Sequence, residues 1–178
     1  NLYKPELKPI IIQNISEILV EFEKICEIEK PDALIILGDT NSSLLSYVAK
    51  RKKIPIFHLE AGNRCHDQRV PEEINRKIVD HLSDINLTYS KIAKENLILE
   101  GFAQDQVFTI GSPIKEVYNH YKKKINQSKI LKKTSLVKES FFLVSFHREE
   151  NVESLNKITN FFKFLEYLED QYELPIIV

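Results

Sequence analysis

Acidic and basic side chains are concentrated in the stretch from Phe57 to Arg76, FHLEAGNRCHDQRVPEEINR. Glu60 directly follows a run of β-branched and aromatic residues, so it falls at the carboxyl end of a predicted strand. Glu72, Glu73 and Arg76 fall at the beginning of the helix predicted to follow. In open α/β sheets, ligands bind in the crevice outside the carboxyl ends of the strands. The stretch therefore predicts a ligand site with carboxylates available for proton transfer.

Asp39 and Glu60 each have a functional and a structural interpretation. Asp39 follows an apolar strand and a glycine, where an aspartate is either an acid, base or ligand contact, or the N-cap of the next helix. Glu60 follows a strand that we expect to be buried on both faces, so its carboxylate is partly desolvated, which suits proton transfer. Its structural alternative is a salt bridge to Arg64 or Arg76. Position alone leaves both interpretations of each residue open.

Other polar positions in these turns are less specific. Glu72 and Glu73 follow a proline at a predicted helix start, where acids are ordinary because they stabilise the helix dipole. Ser112, in a Gly-Ser-Pro turn after a predicted strand, is either a ligand contact or part of a plain turn. His58 lies on the strand itself, which favours a hydrogen-bonded core histidine over a catalytic one.

His147 and Arg148 begin a polar turn after the predicted strand 141–146. Adjacent histidine and arginine side chains at a helix N-terminus are suited to bind a diphosphate. The turn lacks the glycine pattern of dinucleotide sites and the P-loop of NTPases, so both of those functions are disfavoured. Carboxylates on one unit and a phosphate-binding pair on the other indicate acid–base chemistry on a nucleotide-activated substrate.

The elements that carry these residues alternate between strand and helix. Apolar residues spaced three and four apart predict helices, and short β-branched runs predict strands. With short links, this order favours a parallel sheet with right-handed crossovers, in which strand 33–37 is buried on both faces. The predicted elements are helix 7–29, strand 33–37, helix 41–52, strand 54–59, helix 71–82, strand 84–88, helix 90–100 and strand 107–110.

The predicted domain organisation is incomplete. Residues 1–112 form part of an N-terminal Rossmann-like domain, residues 113–140 a linker helix, and residues 141–178 the start of a C-terminal Rossmann-like domain. The last part contains strand 141–146, helix 152–172 and the beginning of another strand. The chain contains no methionine and ends on the apolar run LPIIV. These features predict a fragment of a longer protein.

Composition narrows the possible partners. The 178-residue chain has a formal net charge of −1 and 43% hydrophobic residues. It has no block of like charge, which argues against nucleic-acid and membrane-surface partners. No apolar run approaches the roughly 18 residues of a membrane span, and no signal peptide is recognisable. Cys26 and Cys65 lie far apart, so we expect reduced thiols in a cytoplasmic protein, with neither a disulfide framework nor a zinc site.

Five motifs occur in order: LGDT at 37–40, HLEAG at 58–62, PEExNR at 71–76, GSP at 111–113 and SFHREEN at 145–151. Together they resemble the non-hydrolysing UDP-N-acetylglucosamine 2-epimerases over nearly the whole chain. The segments NRC at 63–65 and DQRV at 67–70 resemble the branch that makes UDP-N-acetyl-L-fucosamine for capsules and O-antigens. The more common branch makes UDP-N-acetylmannosamine.

The resemblance implies an α/β fold with Rossmann-like parallel sheets in a GT-B-like two-domain architecture, with a UDP-sugar bound between the domains. It also implies a homodimer that needs no NAD or metal. Asp39, Glu60 and Glu72 match the family's acidic catalytic positions, and His147 matches a diphosphate contact. Further candidates for substrate binding are Arg148, Arg76, Glu73 and Ser112.

The chain also departs from the family. The family's N-terminal glycine- and arginine-bearing strand and most of its second domain have no counterpart here, so we expect the 178-residue polypeptide alone to be inactive or nearly so. A GT-B glycosyltransferase is the first alternative, because it shares the architecture and the nucleotide-sugar donor. A non-catalytic nucleotide-sugar sensor and a non-functional remnant are the others.

Overall fold

The computed structural model describes residues 11–65, 67, 70–146 and 155–178. The chain divides into two compact units, Asn1–Lys115 and Glu116–Val178. In chain order, the elements are α1 (Ile11–Glu29), β1 (Leu34–Leu37), a 3-10 helix (Asn41–Leu44), α2 (Leu45–Arg51), β2 (Ile56–Leu59), α3 (Pro71–Leu82), β3 (Ile85–Thr88), α4 (Lys91–Leu99), a 3-10 helix (Gln104–Gln106), β4 (Val107–Thr109), α5 (Ile114–Asn126), α6 (Ile130–Lys133), β5 (Phe142–Leu143), α7 (Leu155–Tyr172) and β6 (Ile176–Ile177).

The first unit is built on a four-stranded parallel sheet in the order β1-β2-β3-β4. Leu37 pairs with Leu59, and Leu59 pairs with Leu87, so the three strands end side by side. Asp39 and Glu60 follow two of these ends and are therefore brought to the same edge of the sheet. This placement is the one that the alternating pattern predicts for a parallel sheet.

The core of this unit lies between the sheet and the helices. One buried cluster joins α1, α2 and α3 to the first two strands, and its members are Cys26, Ile36, Ala49, Ile54, Ile56 and Val79. A second cluster lies under α4 and contains Ala61, Leu97 and Val107. Ser90 caps α4 as predicted, because its hydroxyl oxygen accepts a hydrogen bond from Ala93 N at 3.1 Å.

The prediction that residues 33–37 are buried on both faces is wrong for this chain. Ile36 packs into the core, but Ile35 is 70% exposed and Leu37 is 65% exposed. The physical reason is the strand order. Successive crossovers of one hand along β1-β2-β3-β4 place their helices on the same face of the sheet. Phe57 and Leu59 on β2 are likewise only half-buried, so the opposite face of the sheet stays open in the described part of the chain.

The second unit contains a parallel pair of short strands, with Phe142 on β5 opposite Ile176 on β6. Helix α7 connects the two strands, as predicted for a βαβ unit, and its Leu165 is buried. Phe146 stacks on Phe161 of α7 with ring centroids 3.9 Å apart. The single linker helix predicted for residues 113–140 is two helices, α5 and α6. The domain boundaries drawn from the sequence stay a prediction.

Asp84 fastens the amino-terminal end of the sheet. Its carboxylate accepts hydrogen bonds from Ile56 N at 2.9 Å and from Lys50 Nζ at 2.6 Å. Burial by itself raises the pKa of Asp84, but the hydrogen bonds from Lys50 and Ile56 outweigh it and the net pKa is lowered. The ionised carboxylate therefore stabilises the fold above the unfolded-state pKa, and this contribution is lost as the pH falls through the folded-state pKa.

We expect Asp84→Asn to flatten the acid limb of the stability curve. The free energy of unfolding at neutral pH should fall by about 1 kcal/mol, a small value because the ion pair is half-exposed. Below the ordinary aspartate value of 3.8, the variant and the wild type should converge. Urea titrations between acid and neutral pH measure this. Glu139→Gln is the control, because its ion pair with Lys138 is about 80% exposed. A constant difference at every pH would contradict the assignment.

Candidate functional site

Asp39 and Arg76 form an ion pair at the carboxyl edge of the sheet, where a ligand crevice is expected. Arg76 reaches back from α3, and its Nε and Nη2 lie 2.6 Å and 2.5 Å from Asp39 Oδ2. Asp39 is 21% exposed at its side chain and Arg76 is 14% exposed. The arginine therefore holds a partly solvated carboxylate at the mouth of the crevice. The N-cap role offered for Asp39 is not the one observed, since Thr40 occupies the N-cap position.

Glu73 supports this pair from inside. Its side chain is 1% exposed, and its Oε2 accepts hydrogen bonds from Arg76 Nη1 at 2.7 Å and from Cys65 N at 2.9 Å. Lys77 Nζ lies 3.5 Å from the other oxygen. Glu73 therefore ties the loop after β2 to α3 and orients Arg76 toward Asp39.

Glu60 occupies a strained turn directly after β2. Its backbone φ is +70°, the left-handed region that non-glycine residues adopt at a cost of roughly 1–2 kcal/mol. Such conformations persist where the surrounding structure imposes them, often at functional sites. The side chain is half-buried, and Asn63 Nδ2 lies 3.5 Å from its Oε1. Arg64 and Arg76, the two partners suggested by the sequence, pair with other carboxylates.

Glu72 and Ser112 lie on the surface. Glu72 is exposed in the first turn of α3, one residue from the buried Glu73. Ser112 is exposed, and its hydroxyl oxygen accepts a hydrogen bond from Ile114 N at 3.3 Å, at the start of α5. His147 and Arg148, the predicted diphosphate contacts, lie outside the described residues.

Asp80 is the most heavily bonded carboxylate behind the crevice, and its residue type on α3 gave no signal in the sequence. It is fully buried, and Arg64 Nη1 and Gly62 N lie 2.7 Å and 3.2 Å from its Oδ2. Its Oδ1 lies 2.7 Å from His58 Nδ1. The other ring nitrogen of His58 lies 3.0 Å from the carbonyl oxygen of Gly38. His58 is thus a hydrogen-bonded histidine of the core, as its place on the strand predicts.

Arg64 connects Asp80 to α4. Its Nε and Nη2 each donate to the Glu100 carboxylate at 2.6 Å, in a bidentate pair. Burial alone lowers the pKa of the Arg64 guanidinium, but the hydrogen bonds to Glu100 and Asp80 outweigh it and the net pKa is raised. The hydrogen bond from Arg64 lowers the pKa of Glu100. These charges neutralise one another behind the loop that carries Glu60.

Tyr89 is a further residue at this edge that the sequence interpretation missed. It directly follows β3, as Glu60 follows β2, and this shared position is the signal that could have found it. Burial raises the pKa of its phenol, and the nearby charge of Glu60 adds to the rise. Its hydroxyl is buried without a hydrogen-bond partner among the described residues. A buried hydroxyl without a partner is unusual, which makes Tyr89 a candidate for a role at this edge.

The described residues contain no group of three His, Cys, Asp or Glu side chains placed to hold a metal ion. No helix among them is both long and apolar enough to cross a membrane. A pocket of about 300 Å³ lies between α3 and α4 and is lined by Arg64, Lys77 and Glu100 among others. Asp39, Glu60 and Glu72 do not line it.

The chain is similar to UDP-N-acetylglucosamine 2-epimerases both in sequence and in structure. The profile of the UDP-N-acetylglucosamine 2-epimerase family matches residues 8–178. The UDP-N-acetylglucosamine 2-epimerase structure from Rickettsia bellii is 44% identical with a TM-score of 0.84, over 97% of this chain and 44% of that chain. The Methanocaldococcus jannaschii enzyme in complex with UDP-GlcNAc and UDP is 32% identical with a TM-score of 0.86, over 95% and 47%.

The chain is also similar to a 2-epimerase that is named for another UDP-sugar. The UDP-2,3-diacetamido-2,3-dideoxy-D-glucuronate 2-epimerase of Pseudomonas aeruginosa is 31% identical over 160 residues, which are 88% of this chain and 44% of the relative. The chain therefore spans about half the length of the proteins it matches. The two structural likenesses confirm the predicted fold class, α/β with Rossmann-like parallel sheets of the GT-B-like type, over that half.

Proposed function

Since the chain belongs to the UDP-N-acetylglucosamine 2-epimerase family, we propose that its gene product inverts C2 of a UDP-N-acetylhexosamine. The observation that carries the proposal is the pair of carboxylates, Asp39 and Glu60, at neighbouring strand ends of one sheet edge. The family's structures with UDP-GlcNAc bound support a UDP-sugar as the ligand.

The reaction requires acids and bases because the C2 proton has no adjacent carbonyl to acidify it. In the proposed route, a carboxylate removes the C2 proton, the C1–O bond breaks, and UDP leaves with the bonding electrons to give a glycal. UDP then adds again at C1 while an acid delivers a proton to the opposite face of C2. Positioned acid–base groups contribute roughly 10²–10⁴-fold to such steps.

The three acidic residues divide this work by position. Glu60 is half-buried directly after β2, and Asp39 is held by Arg76 just after β1. Glu72 is exposed in the first turn of α3. We assign proton removal and proton return to these three carboxylates, acting on opposite faces of C2.

The remaining candidates hold the substrate or the acids. We assign His147 and Arg148 to the departing diphosphate, because cationic groups stabilise the charge that develops there. Ser112 is a candidate hydroxyl contact. Arg76 is already bonded to Asp39 and Glu73, so we propose that Arg76 and Glu73 act on the substrate through the orientation of Asp39.

The proposal extends to the particular UDP-sugar and to the biosynthetic process that uses it. The segments at 63–65 and 67–70 favour the UDP-N-acetyl-L-fucosamine-forming branch, and the Pseudomonas aeruginosa relative is named for another UDP-sugar. We propose a cytoplasmic homodimer that supplies surface-polysaccharide synthesis, such as capsule or O-antigen, without NAD or a metal. The 178-residue chain alone is expected to be inactive or nearly so.

Proton exchange at C2 tests the proposal directly. The full-length gene product is incubated in D₂O with UDP-N-acetylglucosamine and, separately, with UDP-N-acetyl-6-deoxy-L-talosamine, and the C2 proton is followed by NMR. We expect deuterium at C2 together with the epimer, on one substrate much faster than on the other. Exchange on neither, with binding intact, would reject the epimerase and favour the glycosyltransferase or the sensor. Absence of binding would favour the remnant.

A further inference from the structure

We propose that Asp80 is a positioning residue, which acts through His58 and Gly62 to hold the turns of Asp39 and Glu60 at a fixed separation. We call Asp80, His58 and Arg64 the clamp. The inference rests on the proposed function, because it assigns the clamp to the C2 epimerisation. Neither Asp80 nor His58 reaches the crevice surface, since both side chains are fully buried.

The first arm of the clamp holds the turn of Glu60. Gly62 N donates to Asp80 Oδ2 at 3.2 Å, and Arg64 Nη1 donates to the same oxygen at 2.7 Å. Gly62 lies two residues after Glu60, whose backbone is in the left-handed region. Such a conformation needs contacts that over-determine it. The Asp80 carboxylate supplies them from the rear of the turn.

The second arm reaches the turn of Asp39. His58 Nε2 lies 3.0 Å from the carbonyl oxygen of Gly38, the residue directly before Asp39. A carbonyl oxygen only accepts, so Nε2 carries a hydrogen. The same imidazole therefore connects the turn after β1 to the carboxylate that holds the turn after β2.

The Asp80 carboxylate is bonded on both of its oxygens. His58 Nδ1 lies 2.7 Å from Oδ1, and Oδ2 accepts hydrogen bonds from Gly62 N and Arg64 Nη1. Arg64 is paired in turn with Glu100. A buried polar group that loses such a partner is left unsatisfied, so the members of the clamp depend on one another.

Asp80→Asn tests the positioning role in the full-length gene product. An amide of the same shape cannot accept from three donors as a carboxylate does, so the two turns lose their common anchor. A displacement of about 1 Å at reacting groups costs roughly 10²-fold in rate. We expect kcat to fall about 10–100-fold, with KM for the UDP-sugar changed less than about 3-fold. His58→Gln, which keeps one donor, should fall between Asp80→Asn and the wild type.

Asp84→Asn is the matched control. Asp84 also accepts from a backbone N–H and a cation, but it does so at the opposite, amino-terminal end of the sheet. It should lower stability and leave kcat unchanged. Equal loss of kcat in both variants, or loss in KM rather than kcat for Asp80→Asn, would reject the positioning role.

A ¹⁵N NMR measurement on His58 of the same protein separates the clamp from the proposed function. We expect Nε2 of His58 to carry an attached proton, because it faces the Gly38 carbonyl oxygen, and the Gly38 and Gly62 amide signals to shift together in Asp80→Asn. An Nε2 without a proton, or a shift at Gly62 alone, would overturn the clamp. If the wild type lacks C2 exchange, the proposed function fails with the positioning role, while the NMR result still decides whether the clamp exists.

Discussion

Glu60→Gln is expected to lower kcat of the proposed epimerase about 10²–10⁴-fold, with the dissociation constant for the UDP-sugar changed only a few-fold. Glutamine has the shape of glutamate but neither takes up nor delivers a proton at neutral pH. The side chain is half-buried at a strand end, with Asn63 Nδ2 at 3.5 Å, so the amide fits without repacking. The loss should therefore fall on the chemical step. Steady-state kinetics, deuterium incorporation at C2 and calorimetric binding measure the three quantities.

Glu95→Gln is the control for this prediction. Glu95 is an exposed glutamate in the second turn of α4 and is none of the candidate site residues, so kcat and binding should both match the wild type. If Glu60→Gln keeps kcat within about 3-fold of the wild type, well below the range for a positioned acid or base, Glu60 is not the proton-transfer group. Loss of binding together with kcat would assign it to substrate recognition instead.

Local signals in the sequence were sufficient to predict the helices and strands that carry the site. Pro71 at the first helical position marks the start of α3, and Ser90 caps α4 as its residue type predicts. The alternation of strand and helix predicted the parallel sheet. Because the carboxyl ends of parallel strands share an edge, that prediction also brought Asp39 and Glu60 together. These features depend on the spacing of residues within about ten positions, and such spacing can be read directly from one sequence.

Contacts between distant segments could not be predicted in the same way. Glu73 resembles an ordinary acid of a first helical turn, but Arg76 and the Cys65 amide make it a buried support. Asp80 had no local signal at all, since its partner His58 is 22 residues away. The burial of β1 was mispredicted because an apolar run does not reveal whether one or both faces receive helices.

Gly62→Ala is expected to destabilise the chain by more than about 3 kcal/mol, the range of severe core defects. The Gly62 backbone has φ of +77°, and a Cβ there would overlap the Ala93 carbonyl oxygen and press on Leu97. The carbonyl belongs to the backbone of α4 and cannot rotate away. Gly62 also donates to Asp80 and accepts from Asn96 Nδ2 at 2.9 Å, so it cannot move without breaking both contacts.

Gly111→Ala is the control, because it measures the cost of a side chain in the left-handed region without a steric clash. Gly111 has nearly the same φ, +78°, but a Cβ there would meet nothing within 4 Å. Its cost should be the left-handed strain alone, about 1–2 kcal/mol. In urea, where m is about 1–3 kcal/mol/M for small domains, the unfolding midpoint of Gly62→Ala should fall at least about 1.5 times as far as that of Gly111→Ala. Equal midpoints would show that α4 moves away from the added Cβ, and that its close approach to the Glu60 turn is not rigid. A larger loss at Gly62 would show that α4 supports the strained turn from behind.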